Sequence, residues 1–159
     1  MKGEGVALDL DRTHALLALV AAVSAGDRGE VPVGAVLVDG WGRILAEGGN
    51  RPVFHHDPLG HAEIIALRLA SRRLANYRLA QTEMTVTLQP CPLCLEALKI
   101  ARISKVSYLA EETRLGGEKR GCVRAVPWKS GMEKGEDDRA VSEFCSRFLR
   151  FFFDRKRGI

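Results

Sequence analysis

Two thiols and an imidazole are the side chains in this sequence best suited to chemistry. Cys91 and Cys94 stand three apart in Pro90-Cys91-Pro92-Leu93-Cys94, so both fall on one side of a first helical turn. Two thiolates at that spacing fit a tetrahedral zinc ion, and a helix N-terminus lowers thiol pKa toward the metal-binding form. His61, in His61-Ala62-Glu63, opens another helix and can supply a third ligand. Three protein ligands leave one position, which catalytic zinc sites give to water. Zinc lowers the pKa of that water toward neutrality and so provides a nucleophile. A closed structural site would need a fourth protein ligand. The candidates are Cys122, His55 and His56, and none sits at a paired-ligand spacing. The expectation is one catalytic zinc per chain. Glu63 lies two residues from His61 and need not share its direction, so it is placed as a proton shuttle beside the water. Alone, an acid in a first helical turn needs no more explanation than the helix dipole; beside His61 and the cysteines, the shuttle is favoured.

The elements that must hold these residues follow from patterning. An apolar run from Ala15 to Ala25 predicts a buried helix over 11–25, ending at Gly26. It is too short to span a membrane. The preceding segment sets Glu4, Asp9 and Asp11 against Lys2 and Arg12, the wrong sign for a secretory signal. Residues 33–39 predict a strand, turning at Gly40-Trp41-Gly42 into a partner over 43–47. A helix is expected over 61–74, a strand over 84–88, a helix over 92–101 with Pro92 at a favoured first position, and a strand over 104–109. Residues 116–135 read as a loop, and a terminal helix follows at about 137–157. Helices alternating with strands after a hairpin predict one α/β domain with a mixed sheet over residues 1–159.

His-x-Glu followed by Pro-Cys-x-x-Cys is the signature of zinc nucleobase deaminases. The match extends to Val31-Pro32-Val33-Gly34-Ala35-Val36, Gly49-Asn50-Arg51-Pro52, His56-Asp57-Pro58 and Asn76-Tyr77-Arg78-Leu79. Over roughly residues 30–110 the chain resembles the bacterial tRNA adenosine deaminases, within the cytidine/deoxycytidylate deaminase superfamily. The resemblance implies a three-layer α/β/α cytidine-deaminase-like fold with a five-stranded mixed sheet, and a homodimer with each active site near the contact. It implies that Asn50 hydrogen-bonds the base and that the Ala62 N–H orients water or the ring edge. Val33 is either a wall of the base pocket or ordinary sheet core. For His56 and Asp57, ordering of their loop is preferred to lining the pocket mouth. Three places depart from the family's usual residues: Gln89 stands where glutamate is common, Glu111-Glu112 where arginine and aspartate mix, and Asp154 beside Phe151, Phe152 and Phe153 where arginine is common.

The expected reaction is hydrolytic deamination, with the wobble adenosine of a tRNA anticodon loop as the leading substrate. A small nucleobase or nucleoside of guanine, adenine or cytosine type is the alternative, favoured by Glu111, Glu112 and Asp154. A non-catalytic zinc protein that binds nucleic acid is the third reading, and Glu63 argues against it. The charge is informative once located. Among residues 146–159, Arg147, Arg150, Arg155, Lys156 and Arg157 oppose one acid, so this end carries the chain's whole net charge of +4. Cations suit a helix C-terminus. Beside Phe152 and Phe153, however, Arg155, Lys156 and Arg157 are expected to face RNA phosphates, with the rings available for stacking. Four cysteines and no secretory signal point to a reducing cytoplasm, with no membrane partner and with Cys122 and Cys145 as free thiols.

Overall fold

The computed structural model describes residues 9–111, 125–127 and 136–157. Helix α1 (Leu10–Asp27) starts at Asp9, whose carboxylate accepts the Arg12 N–H at 3.1 Å, satisfying an otherwise unpaired first-turn amide. Strands β1 (Gly34–Asp39) and β2 (Ile44–Gly49) form the hairpin. At its turn, Asp39 Oδ1 accepts from Trp41 N and Arg43 N at 3.0 and 2.9 Å. A one-turn helix, α2 (Pro52–His55), precedes α3 (Ala62–Leu74). Then come β3 (Thr82–Leu88), α4 (Pro92–Ile100), β4 (Lys105–Ala110), β5 (Ala125–Pro127) and α5 (Glu136–Arg157).

The strand order is β2-β1-β3-β4-β5. Strand β1 runs antiparallel to both β2 and β3, whereas β3, β4 and β5 run parallel to one another, which makes the sheet mixed. Alternation along β1 assigns the layers. Ala35 and Leu37 join the core under α3 and α4, with Ala62, Ala66, Leu67, Ala70, Cys94 and Leu98. Val36 and Val38 pack against Ala18 of α1 on the other face. Leu109 and Ala110 of β4 meet Cys145 and Leu149 of α5 there, beside Ala15 and Leu19 of α1. The Arg12 guanidinium donates through Nε and Nη2 to the buried Asp138 carboxylate at 3.1 and 3.0 Å, fixing α5 to α1. Among the described residues, no helix is long and apolar enough to cross a membrane.

Two glycines let the layers approach closely. A Cβ on Gly34 would run into the α1 backbone at Ala18 and Ala22, and one on Gly48 into α3 at Ala62 and Ala66. The three-layer architecture and five-stranded mixed sheet agree with expectation. Three details differ from the residue-level reading. Strand β2 runs on to Gly49, because its Gly48 and Gly49 pair with Ala35 and Gly34. The segment read as a loop contains β5, three residues ending in proline; proline is tolerated on an edge strand, and the pairing comes from β4 rather than from local propensity. Helix α2 was not anticipated. It is one turn long, and its first amides depend on the distant Glu30. Cys122 and Glu112 lie outside the described residues.

Candidate metal centre and active site

Two helix N-termini meet at the site. His61 is the N-cap residue of α3 and Cys91 that of α4, both with extended backbone (ψ 149° and 164°), and neither side chain caps its own helix. Both are therefore free to face each other. His61 Nδ1 lies 3.6 Å from Cys91 Sγ and 3.4 Å from Cys94 Sγ. The three ligand atoms all fall within 4.8 Å of one another, and among the described residues no other such group occurs. Cys94 is buried and the other two are half-buried. An imidazole nitrogen and two sulfurs are donors of the type zinc takes, so the residues present fit that ion.

Burial and mutual hydrogen bonding shape the electrostatics of the site. Hydrogen bonding from Cys94 draws Cys91 down to about 5, while the same bond and burial push Cys94 upward. Glu63 is 4 % exposed. Burial is the main cause that raises its carboxyl to about 7; the Cys91 charge pushes the same way, and the carboxyl shares a hydrogen bond with Cys94. A buried carboxyl held near neutrality beside a metal-ligand cluster can both take up and release a proton at working pH.

Asn50 is 7 % exposed, and its Oδ1 accepts the Ala62 N–H at 2.8 Å. The Ala62 N–H, expected to orient water or the ring edge, donates here to Asn50, because a first-turn amide with no side-chain cap needs an acceptor. Asn50 thus fixes the start of α3, and its Nδ2 donors have no partner among the described residues. Val33 sits next to Asn50, accepting the Asn50 N–H on its carbonyl at 3.0 Å, and its side chain belongs to the core under α3 and α4. Asp57 orders its own loop, accepting from Leu59 N at 2.9 Å and from Arg68 at 3.1 Å, and His56 is exposed.

Sequence reasoning missed Glu30. Its carboxylate is 1 % exposed and accepts from Phe54 N at 2.8 Å and Val53 N at 3.2 Å, so it holds the start of α2 and the loop that leads to His61. Pro52 at a first helical position was the available signal, since it implies amides that need an acceptor. At the far end of α5, Phe153 packs against the α1–α5 cluster and Phe152 is half-buried, whereas Phe151 is 60 % exposed. Arg155 lies 5.8 Å from the Phe151 ring centroid and Lys156 lies 5.7 Å from that of Phe152. The Arg157 side chain lies outside the described ones.

Comparison with known proteins agrees with this geometry. Residues 9–110 match the model of the cytidine and deoxycytidylate deaminase zinc-binding region. A tRNA-specific adenosine deaminase of Agrobacterium fabrum is 39% identical over 156 residues, spanning 92% of this chain and 97% of that protein. A structure from work on A-to-I editing by tRNA:A34 deaminases at the wobble position superposes with a TM-score of 0.66 at 38% identity, covering 74% of this chain and 98% of its own. A guanine deaminase from Bacillus subtilis superposes with a TM-score of 0.61 at 38% identity, covering 64% of this chain and 65% of its own.

Proposed function

Because this chain belongs to the cytidine and deoxycytidylate deaminase zinc-binding family, we propose that it hydrolyses adenosine to inosine at the wobble position of tRNA. The observation that carries the chemistry is the convergence of His61, Cys91 and Cys94 with the buried Glu63. The tRNA assignment rests on likeness to the Agrobacterium enzyme along nearly the full length of both chains.

His61, Cys91 and Cys94 would hold zinc. When bound, zinc supplies a Lewis acid that makes water nucleophilic near neutral pH. Glu63 accepts a proton from the water that adds to the amine-bearing carbon and delivers it to the adjacent ring nitrogen. It then moves the second proton to the departing amine, so that water and adenosine yield inosine and ammonia. Asn50 presents its Nδ2 donors to an acceptor on the purine edge while its Oδ1 stays on Ala62. Burial at 4 % exposure keeps Glu63 out of bulk water between these steps.

The finer parts of the reading are a cytoplasmic homodimer of single-domain chains and an anticodon loop held in part by the end of α5. There, Phe151 rather than Phe153 is the exposed ring that could stack on a base, beside the Arg155 guanidinium. A small-base substrate is the second reading, favoured by the guanine deaminase likeness and by the exposed Glu111 just after β4. The test of the site is Glu63→Ala on tRNA: the variant should keep about one zinc per chain by the three-ligand rule and form no inosine. Wild-type turnover in the variant would remove Glu63 from the mechanism.

A further inference from the structure

We propose that Thr87 is a positioning residue whose buried hydroxyl sets the spacing between the two halves of the metal centre. This rests on the reading that His61, Cys91 and Cys94 hold zinc. One half, Cys91 and Cys94, follows directly from the end of β3. The other half, His61 and Glu63, begins α3. Thr87 is fully buried near the end of β3, and its Oγ1 accepts the Gly34 N–H at 3.0 Å. The regular β1–β3 ladder runs only as far as Ala35 opposite Val86. The hydroxyl therefore closes the pairing at the site end, where no ladder bond does.

From Gly34 the connection continues to the other half. Val33, its neighbour, accepts the Asn50 N–H at 3.0 Å, and Asn50 Oδ1 accepts the Ala62 N–H at 2.8 Å, between His61 and Glu63. Each link is a normal hydrogen bond among buried residues. Gly34 itself cannot drift toward α1, because that helix's backbone lies where its Cβ would be. Thr87 is also held by α5, since its carbonyl accepts the Cys145 S–H at 3.1 Å. A valine at 87 would keep the shape and remove the acceptor. That leaves the buried Gly34 N–H without this partner and removes the side-chain tie between the end of β3 and the start of β1, from which the connection to α3 runs.

The test uses the full chain loaded with Co²⁺ alone in place of zinc, comparing wild type, Thr87→Val and Thr87→Ser. Thr87→Val should bind Co²⁺ at least about tenfold more weakly, the scale seen when support of metal ligands is lost, and its visible ligand-field bands should move. Thr87→Ser should restore both. A role confined to stability would lower the melting temperature of Thr87→Val and leave affinity and bands at wild-type values; that result overturns the proposal. If the valine variant does not fold, Thr87→Ala and Thr87→Ser differ only by the hydroxyl. Equal Co²⁺ affinity and spectra in that pair overturn the proposal, and a defect in the alanine variant alone supports it. A wild-type chain that bound no Co²⁺ would instead refute the metal-centre reading. No tRNA enters the measurement, so failure of the substrate assignment is a separate outcome.

Discussion

Replacing Glu63 by glutamine should stabilise the metal-free protein at pH 8. Burial raises this carboxyl from an ordinary 4.5 to about 7. At about 1.36 kcal/mol per unit, ionising it inside the fold costs about 3 kcal/mol. The sign follows from proton linkage. A folded-state pKa above the unfolded one means that the native state binds the extra proton between pH 4.5 and 7. The stability this group contributes is complete below about 4.5 and is lost as pH rises through about 7. Glutamine has nearly the same shape and no charge to bury, so the variant escapes that loss. Urea unfolding of chelator-treated wild type and Glu63→Gln at pH 5, 6, 7 and 8 measures the difference directly. The variant's advantage should grow across the series by about 2.5 kcal/mol, most of it between pH 5 and 7. Zinc should shrink the gap, since a neighbouring dication favours the carboxylate. A difference that does not change with pH, or a variant less stable at pH 8, would show that the fold does not hold the Glu63 carboxyl away from water.

Gly48→Ala should drive a methyl group into the α3 backbone at Ala62 and within 2.9 Å of the Ala66 nitrogen. We expect a loss of about 1–3 kcal/mol in denaturant unfolding, together with weaker metal binding, because this turn carries Glu63. Cys145 is 1 % exposed and burial pushes its thiol up to about 12. In a mass-mapped thiol-labelling time course of metal-free protein, Cys91 should therefore react well before Cys145, and zinc should protect Cys91 and Cys94. Neutralising Arg155, Lys156 and Arg157 together should lower the salt slope of tRNA binding by about 2–3 and leave turnover of any free base unchanged. An unchanged slope would make this end of α5 an ordinary solvated helix terminus.

The site was legible in the sequence because its chemistry is written at two short spacings, each at the start of a helix. His61 and Cys91 occupy N-cap positions that serine, threonine or aspartate would ordinarily take. A position that breaks a local rule in this way is where function is expected. The residues that hold the halves in place were not legible. Thr87 reads locally as one more β-branched strand residue, and Glu30 reads as a loop charge; their roles exist only through partners 53 and 23 residues away. Strand β5 was hidden for the same reason, since three residues gain their conformation from β4. The aromatic run of α5 shows the limit of composition. Helical geometry turns Phe153 inward and leaves Phe151 in solvent, a distinction that three consecutive phenylalanines cannot reveal.

The most direct measurement is product analysis after incubating the zinc-loaded protein with total tRNA and, separately, with guanine, adenine, adenosine, cytosine and cytidine. Inosine is expected at the wobble position of tRNA, dependent on Glu63, with little or no product from the free compounds. Xanthine from guanine, with tRNA left unmodified, would contradict the tRNA assignment.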